Sequence, residues 1–420
     1  MLQVFFNKEW DTMVMKVIAH REETFMQYRT DKRAGRKLSA LGFGCMRLPK
    51  EKDAEKAILA ALEAGVNYFD TAYAYAGNEE LLGSIITRNN IREQMLIATK
   101  LPHGKCKKPD DARELFETSL ARLQTDHVEY YLIHNLVSLE QWQRVCELSI
   151  EEWIASEKAS GRIGSIGFSF HGTYPEFEKL LNAYDWDFCQ IQYNYLNENY
   201  QAGRAGLELA GKRGLPVIIM EPLLGGKLVS GLPKEAERAL LGEESARLDS
   251  ATKANLAAAW GLRWLMDQPQ VTCVLSGMGS VEQLASNCAV AELTTPSSMT
   301  AEEHAAIESA KKAISAAFKI GCTGCNYCMP CPAGISIPAS FAAYNESFSL
   351  GWFTGVFHYM ISAGVGDAKP HFATDCMQCG ACKAKCPQHL DIPEGLKLVT
   401  RRLQPPGFKA AASVYNKITT

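Results

Sequence analysis

The sequence of 420 residues predicts an α/β protein in which a (β/α)8 barrel, or TIM barrel, precedes a smaller, mainly α-helical domain. The first observation is that short apolar runs alternate with amphipathic segments from about Leu38 onward. The second is that cysteines form two tight groups beyond residue 320. The third is length, because a barrel needs about 250 residues and the chain leaves room for another domain.

Eight runs have the apolar composition of strands that are buried on both faces. They lie at residues 40–45, 66–71, 95–100, 128–134, 163–169, 188–193, 216–221 and 271–276. Segments with apolar residues three and four positions apart lie between them, as at 54–64, 112–123, 139–158 and 254–266. A doubly wound open sheet is the alternative, but the GxGxxG turn that usually follows its first strand is absent. The barrel is therefore favoured.

The remaining segments suggest the domain limits. A polar insertion at 225–252 separates the seventh strand from its helix, and 300–318 has the pattern of one further helix with Thr300 as N-cap. We predict four parts of the chain. They are an N-terminal extension that is disordered or precedes the natural start (1–25), the barrel (26–318), the cysteine-rich domain (319–405) and a C-terminal tail (406–420).

Composition excludes several classes of partner. The net charge of −3 provides no basic excess with which to neutralise nucleic-acid phosphates. The N-terminal extension is not a signal peptide, because Lys8, Glu9 and Asp11 interrupt it before an apolar core forms. The apolar stretch 347–366 contains four glycines and His358, so we expect a bent, buried helix and no membrane span. A cytoplasmic location is expected.

Candidate catalytic groups lie where strands two, three and four end. These are Asp70 with Tyr75, then Lys100, then His134. Catalytic side chains of a (β/α)8 barrel project from the C-terminal ends of its strands. Singly, such residues more often cap a helix, lie at a solvated edge or satisfy a structural hydrogen bond. Four of them on one rim indicate a shared chemistry.

The four groups together predict the reduction of a carbonyl group. Hydride added to a carbonyl carbon leaves charge on the oxygen, which a tyrosine hydroxyl such as that of Tyr75 can protonate. The pKa of a tyrosine is about 10, and a nearby ammonium (Lys100), held by a carboxylate (Asp70), favours the phenolate. A histidine (His134) can donate a hydrogen bond to the carbonyl oxygen.

At these residues the sequence resembles the aldo-keto reductase superfamily. The strings at 67–75 (NYFDTAYAY) and 77–83 (GNEELLG) are similar to the family motif around its catalytic aspartate and tyrosine. The strings at 97–100 (IATK) and 131–135 (YLIHN) match the segments with the catalytic lysine and histidine. The resemblance covers roughly residues 26–292, with the motifs in the family's order. It implies an oxidoreductase that acts on a small carbonyl or alcohol substrate.

The resemblance also implies a nicotinamide cofactor, NAD(P)H, at the same rim. Asp70 belongs to both the catalytic and the cofactor-binding sets. The other matching positions are Ser169 and Gln190 at the carboxamide, Gly44, Cys45 and Met46 beside the ring, Glu221, Pro222 and Leu223 at the pyrophosphate, and Ser276, Gly277, Ser280, Gln283 and Asn287 at the adenosine end.

Two departures from the family pattern concern this cofactor. Met220 stands where many members have an aromatic ring against the nicotinamide, so stacking is weaker or comes from another residue. Gly277 and Gln283 stand where members that prefer NADP have a lysine and an arginine. A 2′-phosphate buried without a cation is costly, so NADH becomes a serious candidate.

The clustered cysteines indicate bound iron. The runs are Cys322-x2-Cys325-x2-Cys328-x2-Cys331-Pro and Cys376-x2-Cys379-x2-Cys382-x3-Cys386-Pro. The second run has the bacterial ferredoxin spacing for [4Fe–4S], and the first is one residue shorter in its last gap. Two zinc sites are the alternative, but zinc usually takes CxxC pairs with a longer gap between them. A disulfide framework is a further alternative, but it would need an export signal, and the N-terminal extension does not have the pattern of one.

The spacing also predicts which thiolates share a cluster. In two-cluster ferredoxins the fourth cysteine of each run binds the other cluster. One expected set is Cys322, Cys325, Cys328 and Cys386, and the other is Cys331, Cys376, Cys379 and Cys382. The 44 residues between the runs have helical patterns at 337–344 and 350–361. The module therefore resembles the α-helical ferredoxin domain of succinate dehydrogenase iron–sulfur subunits.

Two functions follow from these features. The first is a carbonyl reductase or alcohol dehydrogenase with two [4Fe–4S] clusters attached, in an anaerobic host. Hydride carries two electrons and a cluster passes one, so the clusters need not join the barrel's reaction. They are then structural, sense oxygen or redox state, or serve a flavoprotein or ferredoxin as redox partner. The second is an electron-transfer or redox-sensing subunit whose barrel binds nicotinamide with little turnover. The four candidate catalytic residues together favour the first.

Overall fold

The computed structural model describes residues 26–230, 232–316, 319–322, 328–349, 351–366, 369–386 and 390–419. The predicted N-terminal extension at 1–25 and one candidate iron ligand, Cys325, lie outside these residues. Residues 317–318 of the helix predicted at 300–318 also lie outside them.

A short antiparallel hairpin, β1 (Tyr28–Thr30) and β2 (Lys37–Ser39), precedes the barrel. The strand pattern did not predict it, because three-residue strands are too short to show an alternation. Leu38 of this hairpin is fully buried with the residues inside the barrel. Asp31, in the turn, accepts a hydrogen bond of 2.9 Å from the hydroxyl of Tyr130. The hairpin therefore closes the end of the barrel that lies opposite the C-terminal ends of its strands.

Eight parallel strands close into a barrel in chain order, with the last paired to the first. They are β3 (Leu41–Gly44), β4 (Tyr68–Asp70), β5 (Leu96–Leu101), β6 (Val128–Leu136), β7 (Ile163–Phe170), β8 (Phe188–Gln192), β9 (Val217–Met220) and β10 (Val271–Ser276). Each lies within one residue or two of a predicted run. The predicted (β/α)8 barrel is confirmed.

Side chains fill the barrel interior. Tyr130 contacts Tyr68 and Phe188 edge to face, with ring centroids 5.2 and 5.0 Å apart. Space there is limited, because a Cβ atom at Gly42 would come within 2.7 Å of the Sγ atom of Cys273. The barrel interior is thus a packed core rather than a channel, as expected of this fold.

Helices surround the barrel, and their buried apolar residues share one core with its strands. They are α1 (Glu51–Glu63), α2 (Asn78–Asn89), α3 (Pro109–Leu123), α4 (Leu139–Glu147), α5 (Ile150–Ala159), α6 (Tyr174–Ala183), α7 (Gly203–Lys212), α8 (Lys234–Leu241), α9 (Ser250–Met266), α10 (Val281–Leu293) and α11 (Ala301–Ala316). The single helix predicted at 139–158 is wrong, because Ser149 has a φ of 52° and separates α4 from α5. This turn lets both Trp142 and Trp153 pack inward.

The predicted smaller, mainly α-helical domain is confirmed. Its helices are α12 (Ile337–Ser349), α13 (Trp352–Ser362), the single turn α14 (Ala381–Ala384), α15 (Ile392–Leu403) and α16 (Phe408–Thr419). They share a second apolar core around Phe341, Tyr359 and Leu403. Phe408 of α16 packs into this core, although the sequence suggested only a tail there. Within the described ranges, no helix is long and apolar enough to cross a membrane.

Candidate active site and iron–sulfur module

The predicted catalytic residues point into the mouth of the barrel because side chains alternate between the two faces of each strand. Alternate strand residues share a face, so a residue two positions after an interior side chain also points inward. The four interior and site residue pairs are Tyr68 and Asp70, Ala98 and Lys100, Leu132 and His134, and Phe188 and Gln190. The site residue lies toward the C-terminal end of its strand in each pair. The site is therefore the last layer of the packed interior.

An ion pair lies at the centre of this layer. The Nζ atom of Lys100 is 2.6 Å from Oδ1 of Asp70 and donates a second hydrogen bond of 2.7 Å to the carbonyl of Thr71. Lys100 is 1% exposed and Asp70 is 5% exposed. Two charges removed from water in this way stabilise a site only when paired and hydrogen-bonded, as they are here.

Tyr75 and His134 complete the predicted group. The ring centroid of Tyr75 is 5.3 Å from the Nζ atom of Lys100. Its ring meets that of His134 nearly at right angles, with centroids 6.0 Å apart. Tyr75 and His134 are both partly exposed, whereas Lys100 is buried beneath them. The structure thus brings all four predicted catalytic residues together, with two of them open to a substrate.

The electrostatics define the protonation states. Burial lowers the pKa of Lys100, but Asp70 and Tyr75 outweigh it, so the pKa is raised and the ammonium persists. Burial raises the pKa of Tyr75, and Lys100 acts in the opposite direction without cancelling it. Burial and Lys100 hold the pKa of His134 well below its usual value. The site therefore holds a cation, a protonated phenol and a neutral imidazole at pH 7.

The expectation that Lys100 makes the phenol acidic thus needs a correction. Lys100 lowers the pKa of Tyr75 as predicted, but the burial of the hydroxyl is the larger effect. A sequence pattern identifies the charged neighbour and does not reveal how far the surrounding side chains shield the phenol from water.

The two residues predicted at the nicotinamide carboxamide are buried beside the ion pair. Gln190 donates from Nε2 to Oδ2 of Asp70 at 2.9 Å. Ser169 accepts a hydrogen bond of 2.7 Å from the backbone N–H of Asn135, next to His134. The bond from Gln190 leaves its carbonyl oxygen able to accept from a carboxamide.

The predicted loop beside the ring follows β3. Gly44 ends that strand, Cys45 is fully buried and Met46 is 61% exposed. Asn78, which was not among the predicted site residues, supports this loop. Its amide donates to the carbonyl of Cys45 at 2.6 Å and accepts from the hydroxyl of Thr71 at 2.7 Å. Asn78 lies within the string at 77–83, so its presence in that motif was the available signal.

The residues predicted at the pyrophosphate form a turn after β9. Met220 ends the strand, and Glu221 follows with a φ of 53°. The carbonyl of Glu221 accepts a hydrogen bond of 3.3 Å from Nδ2 of Asn194. Pro222 and Leu223 continue the turn.

The residues predicted at the adenosine end lie around the start of α10. Asn287 donates to the hydroxyl of Ser276 at 3.1 Å, and both are buried. Ser280 caps α10 by accepting from the backbone N–H of Gln283. The carbonyl oxygen of the Gln283 side chain accepts from the backbone of Gly279 at 2.9 Å. Neither Gly277 nor Gln283 supplies a cation, as predicted from their residue types.

The helical domain contacts the same rim of the barrel. Gln141 donates to the carbonyl of Gly366 at 3.2 Å, and Asn197 donates to Oε1 of Glu346 at 3.4 Å. The Nε2 atom of His358 lies 3.9 Å from Oε2 of Glu221. No sequence signal placed Glu346 or His358 near the candidate active site.

One predicted set of iron ligands lines a single cavity of the helical domain. The lining includes all four members of that set, Cys331, Cys376, Cys379 and Cys382. The backbone N–H of Gln378 donates to Sγ of Cys376 at 3.4 Å. Burial raises the pKa of Cys382, and the neighbouring Cys376 and Cys331 raise it further. Iron bound to these thiolates would relieve their repulsion, so this donor set fits a cluster.

The other predicted set is described only in part. Cys322, Cys328 and Cys386 pack against the second apolar core, and Cys325 lies outside the described residues. In the part of the chain that the structure describes, no three Cys, His, Asp or Glu side chains are arranged to hold one metal ion. Each thiolate of a cubane cluster binds a different iron, so its ligands need not meet at one point.

The fold and the site define a class of protein, an oxidoreductase barrel joined to an iron–sulfur domain. The chain belongs to the aldo/keto reductase family, because the profile of that family matches residues 40–312. A second profile, the 4Fe-4S dicluster domain, matches residues 321–390. The resemblance to the family is thereby confirmed, and the cysteine-rich module is an iron–sulfur domain.

Individual relatives match over the barrel. An uncharacterized oxidoreductase of Bacillus subtilis, YrpG, is 28% identical over 307 residues, which are 64% of this chain and 92% of that protein. Protein tas of Escherichia coli is 25% identical over 320 residues, which are 62% and 92% of the two chains.

Solved structures show the same fold. Aldo-keto reductase AKR11C1 from Bacillus halodurans, in its holo form, has a TM-score of 0.56 and 24% identity, covering 69% of this chain and 97% of that one. An aldo/keto reductase from Klebsiella pneumoniae, in complex with NADP and acetate, has a TM-score of 0.53 and 22% identity, covering 66% and 93%.

Proposed function

We propose that this protein is an NAD(P)H-dependent carbonyl reductase, or alcohol dehydrogenase in the reverse direction, that carries two [4Fe–4S] clusters. One observation carries the proposal for the barrel. The buried ion pair of Lys100 and Asp70 lies directly against the ring of Tyr75, with His134 beside it. A barrel that only bound nicotinamide would not need these four residues in contact.

Each residue has a role in this reaction. When bound, a dihydronicotinamide would supply the hydride for the carbonyl carbon. Tyr75 keeps its proton at neutral pH and donates it to the carbonyl oxygen, which becomes the alcohol hydroxyl. Lys100 stabilises the phenolate that remains, and Asp70 keeps the ammonium in place. Neutral His134 can donate one N–H to the same oxygen and orient the carbonyl.

The buried polar residues fit a dinucleotide. Gln190 and Ser169 offer side-chain oxygens beside the ion pair, and the turn at 221–223 and the start of α10 extend away from it. The Klebsiella pneumoniae relative binds NADP, but here Gln283 is bonded to its own loop and Gly277 has no side chain. We therefore propose NADH as a serious candidate beside NADPH, because a buried 2′-phosphate without a cation is costly.

The dicluster match and the cysteine cavity support two [4Fe–4S] clusters, one held by Cys331, Cys376, Cys379 and Cys382 and the other by Cys322, Cys325, Cys328 and Cys386. Clusters pass one electron and the proposed barrel reaction moves two. The clusters thus serve a separate redox partner, a flavoprotein or a ferredoxin.

The test is steady-state oxidation of NADH and NADPH by anaerobically purified protein, with a panel of aldehydes, ketones and quinones. Tyr75→Phe is the matched variant, because it removes the proton donor and keeps the ring. We expect turnover with at least one carbonyl, loss of that turnover in Tyr75→Phe, and nearly unchanged dinucleotide affinity. Equal turnover by the variant would refute the role of Tyr75.

One observation favours the alternative, an iron–sulfur electron-transfer or redox-sensing subunit. Cys379, one of the predicted iron ligands, is exposed, as a cluster that exchanges electrons with a partner requires. Tight dinucleotide binding without turnover on any carbonyl would favour this second function.

A further inference from the structure

A buried polar junction joins the helical domain to the rim of the barrel. Glu346 of α12 is 2% exposed and His358 of α13 is 5% exposed. The Nδ1 atom of His358 is hydrogen-bonded to the carboxylate of Glu346. Its Nε2 atom faces Glu221 of the barrel, 3.9 Å from the carboxylate oxygen. His358 thus lies between two carboxylates, one from each domain.

The barrel holds this arrangement from its own side. Asn197 donates to Oε1 of Glu346 at 3.4 Å, and the hydroxyl of Tyr200 donates to the carbonyl of His358 at 3.5 Å. Asn197 and Tyr200 are 6% and 7% exposed. Buried polar groups that are paired in this way fix one relative position of the packed elements.

Glu221 needs such support. Its φ of 53° is in the left-handed region, which a residue other than glycine adopts only where its surroundings hold it. Asn194 holds its carbonyl from within the barrel, through the bond of 3.3 Å. His358, which comes from the other domain, faces its carboxylate at 3.9 Å, and His171 of the barrel is also near it.

We propose that the dicluster domain completes the dinucleotide site of the barrel. His358, oriented by Glu346, is a positioning residue that holds Glu221 and with it the backbone of the turn at 221–223. This turn is where the proposed function places the dinucleotide pyrophosphate, so the inference rests on that function. A cation opposite Glu221 also offsets the repulsion between its carboxylate and a bound pyrophosphate.

The experiment is a fluorescence titration of the full-length, cluster-loaded protein with NADH and NADPH. It compares the wild type with His358→Gln, Glu221→Gln and the double variant. His358→Gln leaves the Glu221 carboxylate unpaired and should raise the Kd roughly tenfold. Glu221→Gln also removes the charge that repels the pyrophosphate, so it should raise the Kd less, and the double variant should match Glu221→Gln. The kcat at saturating dinucleotide is measured as well, because the loss of a residue that only positions the dinucleotide should appear mainly in the Kd.

Phe353→Ala is the matched control. Phe353 lies on the same helix as His358 and is 82% exposed, so its truncation should leave the Kd unchanged. Iron content and melting temperature are measured for each variant. If His358→Gln loses iron, Glu221→Gln still tests the inference, because Glu221 is outside the cluster domain.

The outcomes separate the two proposals. Wild-type protein that binds neither dinucleotide overturns the proposed function and this inference with it. Wild-type binding together with unchanged affinity in His358→Gln overturns the inference alone. The inference is also overturned if His358→Gln weakens binding equally with and without Glu221.

Discussion

The ammonium of Lys100 has two close partners and almost no contact with water. One is the carboxylate of Asp70 at 2.6 Å and the other is the carbonyl of Thr71 at 2.7 Å. Gln190 donates to the second oxygen of the same carboxylate. Loss of the Lys100 ammonium would therefore leave the buried Asp70 carboxylate with only the side-chain amide of Gln190 as a hydrogen-bond donor. Breaking such a pair from one side costs about 3–5 kcal/mol, whereas replacing both partners is often nearly neutral.

Lys100→Met should consequently affect stability and catalysis together. We expect the free energy of unfolding to fall by about 3 kcal/mol. We expect kcat to fall by about 10²–10⁴-fold, because Tyr75 loses the cation that stabilises its phenolate. Urea unfolding and steady-state kinetics measure the two effects.

The double variant Asp70→Asn, Lys100→Met separates the effect on stability from the effect on catalysis. It removes both charges, so most of the stability should return while the activity stays low. Turnover by Lys100→Met close to the wild-type value would contradict the role of the ammonium.

The sequence predicted the barrel strands better than the hairpin before them or the ends of the helices. Each barrel strand is a continuous apolar run, since parallel strands are buried on both faces, and all eight were found. The hairpin of β1 and β2 was missed because its strands have three residues each. The break at Ser149 was missed because the apolar period continues across it. A periodic pattern records which side chains are buried and not where the chain turns between them.

The cysteine cavity combines predicted iron ligands from two runs that lie far apart in the sequence. Cys331 of the first run lines the cavity with Cys376, Cys379 and Cys382 of the second. Such crosswise sharing is what two-cluster ferredoxins show. The shorter last gap of the first run therefore does not prevent Cys331 from reaching the second.

Cys331→Ala should remove one cluster and keep the other. We expect the iron content to fall from about eight to about four atoms per chain, with a matching loss of visible absorbance. Cys146→Ala is the control, because this thiol of α4 lies in the barrel and outside both predicted ligand sets. A full iron content in Cys331→Ala would show that the cavity is not a cluster site, and stoichiometric zinc would overturn the assignment of iron.

In the whole molecule, the helical domain packs on the face of the barrel that holds the candidate active site. The contacts that do so join Asn197 with Glu346 and Tyr200 with His358, residues 149 and 158 positions apart. No local pattern marks a glutamate or a histidine for a contact so distant in sequence. The candidate catalytic residues were predictable because each lies in a local motif on a barrel strand or just after one, whereas the junction exists only once the two domains are packed.

The charge of His358 should make this junction depend on pH. Burial lowers the pKa of His358, but Glu346 and Glu221 outweigh it and raise the pKa to about 9. His171 is also near, and the hydroxyl of Tyr200 bonds to the His358 backbone. A pKa raised above the ordinary value of about 6.5 adds stability that is complete below pH 6.5 and is lost as the pH rises through about 9.

We therefore expect the free energy of unfolding of the helical domain to fall between about pH 6.5 and 9, by at most about 1.4 kcal/mol per pH unit. Urea unfolding under anaerobic conditions, followed by the visible absorbance of the clusters, measures it. His358→Gln should remove this dependence, whereas Phe353→Ala should keep it. An equal slope in wild type and His358→Gln would mean that another group titrates, and that the imidazole is not the cation that joins Glu221 to Glu346.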